Sequence, residues 1–164
     1  MSARGVLYVH SSPPALCPHI EWAVSGVLGV PVSLTWTAQP SAGGSLRTES
    51  AWRGRSGTAG RLAAAIRGWS LVRFEVTEEP SAGADGERYA ATPSLGLFRA
   101  PMSANGDILV GEDRLRALLG SAPDAAALAH GLERLLGTDW DEELEPYREA
   151  GEGAPIRWLH AVGH

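Results

Sequence analysis

The chain has 164 residues, 44% of them hydrophobic and 20% charged. That is about one domain's length with an ordinary globular balance, which excludes a disordered, collagen-like or fibrous protein. The 14 bases, all Arg, are outnumbered by 19 acids, for a net charge of −5, which excludes a general nucleic-acid coat that relies on neutralising phosphates.

Gly5 to Val9 is a compact apolar run that suits a central strand. Ser11, Ser12, Pro13 and Pro14 stop it. Pro18 then opens a helix where its missing N–H costs least. Ile20, Ala23, Val24, Val27 and Leu28 form one apolar stripe, and Gly29 supplies a C-terminal stop. Val32, Leu34 and Trp36 alternate with polar neighbours, as in a half-buried strand. After a turn over Pro40 to Ser45, Leu46 to Arg53 alternates again. Leu62, Ala65, Ile66 and Trp69 make a second helical stripe, and Val72, Phe74 and Val76 a fourth strand.

The order β-α-β-β-α-β predicts a ferredoxin-like α+β sandwich, with an antiparallel sheet and two helices on one face. The opposite face must then meet water, a partner or the rest of the chain. Further on, Glu87 to Ala91 and Leu95 to Ala100 read as strands around Pro93. Asn105-Gly106 is a hairpin signal before Ile108 to Val110. Helical patterns follow over Asp113 to Leu119 and Ser121 to Leu136, where Ser121 and Asp124 have a cap-like spacing. A short helix from Asp139, limited by Pro146, places Trp140, Leu144 and Tyr147 on one side. Gly151 to Gly153 leads into Ile156 to Val162. Pro80 to Gly86 is a short linker, so the expectation is one domain over 1–164. Residues 1–79 form its ferredoxin-like core and 80–164 a hairpin and helical extension.

One cysteine, Cys17, forbids an internal disulfide and points to a reducing cytoplasm. The start of the chain has no secretory leader pattern, and no apolar run reaches the ~20 residues of a membrane helix. No membrane or nucleic-acid partner is expected. The third strand lacks the aromatics with which an RNA-recognition sheet stacks bases.

The densest chemistry lies in His10-Ser11-Ser12-Pro13-Pro14-Ala15-Leu16-Cys17-Pro18-His19, between the first strand and the first helix. A helix start favours anions and thiolates. His10, Cys17 and His19 have no partner motif to complete a zinc set, so neither metal nor cofactor is expected. Trp22 lies off its helix's apolar stripe and needs cover, for which Trp158 is a candidate neighbour. Arg47, Arg53, Arg55, Arg61, Arg67 and Arg73 form a basic run with one acid, Glu49, inside it. If they share a face, they suit an acidic partner such as a carrier protein.

Four blocks carry a family resemblance: Tyr8 to Trp22 (YVHSSPPALCPHIEW), Arg73 to Pro80 (RFEVTEEP), Leu144 to Arg148 (LEPYR) and Gly151 to His160 (GEGAPIRWLH). Together they resemble an actinobacterial family of uncharacterised proteins, domain of unknown function 3145. The resemblance implies no catalytic residues. It implies an actinobacterial source and a link to dissociated fatty-acid synthesis. The leading expectation is a non-enzymatic binding or regulatory module for a small molecule or protein. Its pocket would comprise His10, Ser11, Ser12, Cys17, His19 and Trp22, closed by Trp158 and His160. One alternative is a small thiol-dependent enzyme with Cys17 as nucleophile and His10 or His19 as base. Another is an adaptor docking an acidic partner through the Arg run.

Overall fold

The computed structural model describes residues 1–149. A single antiparallel sheet carries six strands in the order β2-β3-β1-β4-β5-β6. They are β1 (Ser2–Ser12), β2 (Thr37–Ala38), β3 (Leu46–Arg55), β4 (Arg73–Glu78), β5 (Gly86–Thr92) and β6 (Gly96–Met102). The helices are α1 (Cys17–Leu28), α2 (Thr58–Ile66), α3 (Glu112–Ser121), α4 (Ala125–Leu136) and α5 (Thr138–Glu149).

β1 extends past its apolar run in both directions because it is the central strand, with β3 on one side and β4 on the other. Gly5 is demanded by this packing: a Cβ there would stand 1.7 Å from the Thr77 carbonyl oxygen. Leu7, Val9, Phe74, Val76, Tyr89 and Ala91 point to the face covered by α1 and α2, where Ile20, Val24, Leu62 and Ile66 complete the main core. Strand alternation sends Glu75, Arg88 and Ala90 to the opposite face. There α5 lies over the sheet, and Trp140 and Leu144 pack against Ala90, Phe98 and Ala100. The second half of the chain therefore does cover part of the second face.

The expected strand over Val32 to Trp36 is absent, and only Thr37 and Ala38 pair with β3. The reason lies on α1. Glu21 Oε1 accepts from the Leu34 N–H at 2.7 Å and from Trp36 Nε1 at 3.3 Å, and Ser25 Oγ accepts from the Val32 N–H at 2.9 Å. Side chains thus satisfy donors that a neighbouring strand would otherwise take. Ile108 to Val110 likewise makes no named strand, only a bridge from Ile108 to Met102 and a bond from the Leu109 N–H to the Pro101 carbonyl.

The cap of α4 is Asp124, whose carboxylate accepts from the Ala127 N–H at 2.8 Å. Ser121 instead ends α3, because Pro123 disfavours helical geometry just before it. The start of α2 has no cap of its own. Buried Glu78 on β4 provides one from across the fold, accepting from Gly57 N–H at 2.9 Å and Ala59 N–H at 3.1 Å. A carboxylate at a helix start also opposes the positive end of the helix dipole. Pro80 to Gly86 closes the β4–β5 hairpin, with Ser81 bridged to Ala84.

Candidate functional site

His10 projects from β1 onto the second face and is buried. Its Nε2 lies 2.6 Å from Glu75 Oε2. An ionised carboxylate only accepts, so His10 donates to it from Nε2. Glu75, with 0% exposure, also accepts from Arg88 Nη2 at 3.0 Å and from Arg148 Nε at 2.9 Å. A further bond runs from Arg148 Nη2 to Glu75 Oε1. Asp141 accepts from both guanidiniums, at 2.5 Å from Arg88 and 3.0 Å from Arg148. Gln39 ties this centre to the chain ends around it, donating to the carbonyls of His10 at 2.7 Å and Tyr147 at 3.1 Å.

Burial by itself raises the Glu75 pKa, but the His10 hydrogen bond and the charges of Arg148, His10 and Arg88 overcome it and hold the carboxyl well below its ordinary range. Perturbed carboxylates often mark active sites. This one is enclosed and saturated with donors, an arrangement that locks α5 to the sheet. Sequence reading passed over Glu75, Arg88, Asp141 and Arg148. A signal did exist: Arg148 continues the i, i+4 row of Trp140 and Leu144, the buried face of α5.

The turn from β1 to α1 separates the residues grouped there by sequence. Ser11, Ser12 and Cys17 are buried, whereas His19 is exposed and its ring lies 6.4 Å from that of Trp69. Ser11 Oγ accepts from Arg73 Nη1 at 3.2 Å, and the Arg73 guanidinium sits 4.4 Å from the Tyr147 ring centre. The Cys17 thiol faces the Pro13 carbonyl at 3.7 Å and Ser12 Oγ at 4.0 Å. Burial pushes its pKa up, the Ser12 hydrogen bond offsets part of this, and the Glu21 charge adds a smaller rise. Trp22 is 78% exposed, without the cover expected for it among the described residues. Trp158, His160 and the segment from Ile156 to Val162 lie outside the described residues.

The Arg run does not form one face. Arg47 is buried on β3, while Arg53 and Arg55 are exposed further along it. Arg61 turns back on α2 to donate to Thr58 Oγ1 at 2.8 Å, Arg67 is exposed at the end of α2, and Arg73 is held by Ser11 and Tyr147. Among the described residues no group of three His, Cys, Asp or Glu is placed to hold a metal ion, and no helix is long and apolar enough to cross a membrane.

A cleft of about 410 Å³ opens between β6 and the three C-terminal helices. Phe98, Leu118, Leu135 and Trp140 supply its apolar lining, and Arg114 and Arg134 its cations. Gly131 brings α3 and α4 together, since a Cβ there would meet Leu118 at 2.3 Å. Trp140 is fixed by donating from Nε1 to the Gly96 carbonyl at 3.0 Å and packs against Phe98 with ring centres 5.1 Å apart and planes tilted by 35°. The Arg134 guanidinium lies 5.3 Å from the Trp140 ring centre and 3.9 Å from Asp139. Arg114 is exposed and makes no side-chain hydrogen bond or ion pair among the described residues. Arg99 also borders the cleft, but its guanidinium is engaged by Glu87 at 2.7 Å and Tyr89 at 3.2 Å. No local pattern in the sequence marks this cleft, because its walls come from one strand and three helices.

No curated protein and no solved structure matches the chain. A family model described as "Protein of unknown function (DUF3145)" matches residues 6–161. That match spans nearly all of the chain, including every residue of the Glu75 centre, and the protein belongs to this family.

Proposed function

We propose that the protein is a non-enzymatic binding module whose ligand site is the cleft between β6 and α3, α4 and α5. The observation that carries this reading is Arg114. A guanidinium with no ion-pair partner among the described residues stands at the edge of an apolar hollow whose size falls in the usual range for small-molecule sites. The ligand is a small molecule that joins an apolar body to an anionic group. Fatty acids and aromatic carboxylates have this chemistry, which keeps a link to fatty-acid metabolism open to test.

Three features favour binding over thiol chemistry. Cys17 is buried, which raises its thiol pKa, and His19, one of the two candidate bases, is exposed. His10 is committed to Glu75. The strand order β2-β3-β1-β4 with α1 and α2 on one face supports a ferredoxin-like reading of the first 79 residues. The single reduced cysteine supports a cytoplasmic setting.

The test uses an anionic aromatic probe, 8-anilinonaphthalene-1-sulfonate, and a neutral one, N-phenyl-1-naphthylamine. Saturable binding of the sulfonate is expected, weakened roughly tenfold by Arg114→Glu, in line with the ~1.5–3 kcal/mol of a charge-assisted bond. The neutral probe should be indifferent to that change. Absence of saturable binding, or sulfonate binding unmoved by Arg114→Glu, overturns the proposal.

A further inference from the structure

Among the described residues one edge of the sheet is left open, and its backbone and charges are self-complementary. The Arg4 carbonyl accepts from the Glu79 N–H at 2.8 Å, so Arg4 turns its backbone groups toward the β4 side. Antiparallel pleating repeats that direction at Val6 and Tyr8. Their partners on β3 are Arg53, Ala51 and Glu49. These three therefore turn their N–H and C=O groups away from β1, toward the outer edge. β2 pairs only with Leu46 and Arg47, so among the described residues no strand meets this stretch. Glu49, Ala51 and Arg53 are exposed, and no described carboxylate lies within ion-pair distance of Arg53.

Exposed edges of this kind are templates for another strand. We propose that the edge of β3 from Glu49 to Arg53 pairs with the same edge of a second copy of this chain, antiparallel about a two-fold axis through Ala51. Each of Glu49, Ala51 and Arg53 then exchanges both backbone hydrogen bonds across the axis. Glu49 stands directly opposite Arg53 of the second copy, and by symmetry the pair occurs twice. Opposite charges in directly facing positions stabilise a strand pair, and like charges destabilise it. Centring the axis on Trp52 instead would set Glu49 against Arg55 and leave Arg53 facing Ala51, so exchange of the Glu49 and Arg53 charges distinguishes the two registers. The inference is independent of the ligand cleft, which lies at the other side of the sheet beside β6.

Sedimentation velocity of the full chain over roughly 1–100 μM tests it. A monomer–dimer equilibrium is expected. Ala51→Pro removes an N–H that β1 does not use, so the fold tolerates it, as far-UV circular dichroism will verify, and the dimer dissociates. Arg53→Glu weakens the dimer at least about tenfold, and adding Glu49→Arg to it restores association. A chain monomeric at every concentration overturns the proposal; protected Glu49, Ala51 and Arg53 amides in that monomer would indicate an edge covered by the chain itself. A dimer indifferent to Ala51→Pro, or one not rescued by the charge exchange, also overturns it.

Discussion

Arg148 on α5 and Glu75 on β4 stand 73 positions apart, and Arg148 Nε donates to Glu75 Oε2 at 2.9 Å in a place almost closed to solvent. With Arg88, Asp141 and His10 they form the polar counterpart of the Trp140–Leu144 contact. Together these hold α5 over the second face of the sheet.

Glu75→Gln removes the charge that Arg88 and Arg148 share. Two guanidiniums are then left buried with the less enclosed Asp141 and Glu145 to balance them. Removing one member of a buried ion pair costs about 3–5 kcal/mol. Urea unfolding at neutral pH should show a loss of this size, with near-ultraviolet circular dichroism of Trp140 altered as α5 loosens.

The same carboxylate makes stability sensitive to acid. Its pKa is depressed in the folded protein, against an unfolded value of about 4.3. The folded state therefore binds fewer protons near that value. The stabilisation is fully present above about pH 4.3 and is lost as pH falls through the folded value. Urea midpoints should show the gap between the wild-type protein and Glu75→Gln narrowing below about pH 4, and constant between about pH 6 and 8.

Cys17 should behave as a packed thiol. Burial raises its pKa, and each unit lowers the thiolate fraction about tenfold. Iodoacetamide at pH 8 should alkylate the native protein at least about tenfold more slowly than the urea-unfolded chain. Equal rates would restore the thiol-enzyme alternative.

Gly5→Ala tests the central register. Its methyl group would be driven into the Thr77 carbonyl oxygen and the Trp52 ring, at 1.7 and 2.7 Å. Neither neighbour yields cheaply, since Thr77 is backbone of the adjacent strand and Trp52 is core. Overpacking of this kind costs about 1–3 kcal/mol or more, and a lowered Tm with separated β1 and β4 amide protection would report it.

α1 was legible from Pro18, one apolar stripe and Gly29, which takes the left-handed C-terminal position at φ 72°. Strand β1 was legible from its apolar run, β3 and β4 from alternation, and β5 and β6 from their place around the Pro93 turn, within a few residues at their ends. Val32 to Trp36 alternates just as well, yet it forms no strand because Glu21 and Ser25 take its donors. The candidate site was harder to read. His10 and Cys17 looked reactive because they are close in sequence, but burial and the Glu75 bond are properties of the packed sheet. Arg114 and Trp140 meet around one cleft although they lie 26 positions apart, on helices whose mutual angle no periodicity encodes.

Local physics was enough to set the periods of helix and strand, the turns, the single free thiol and the acidic balance, because each depends on neighbours within a few residues. The tertiary structure alone decided that Glu75 would gather two distant arginines and that Glu78 would cap a helix from another strand. Those outcomes rest on desolvation and on hydrogen-bond partners drawn from remote parts of the chain, and both come into being only when the elements pack.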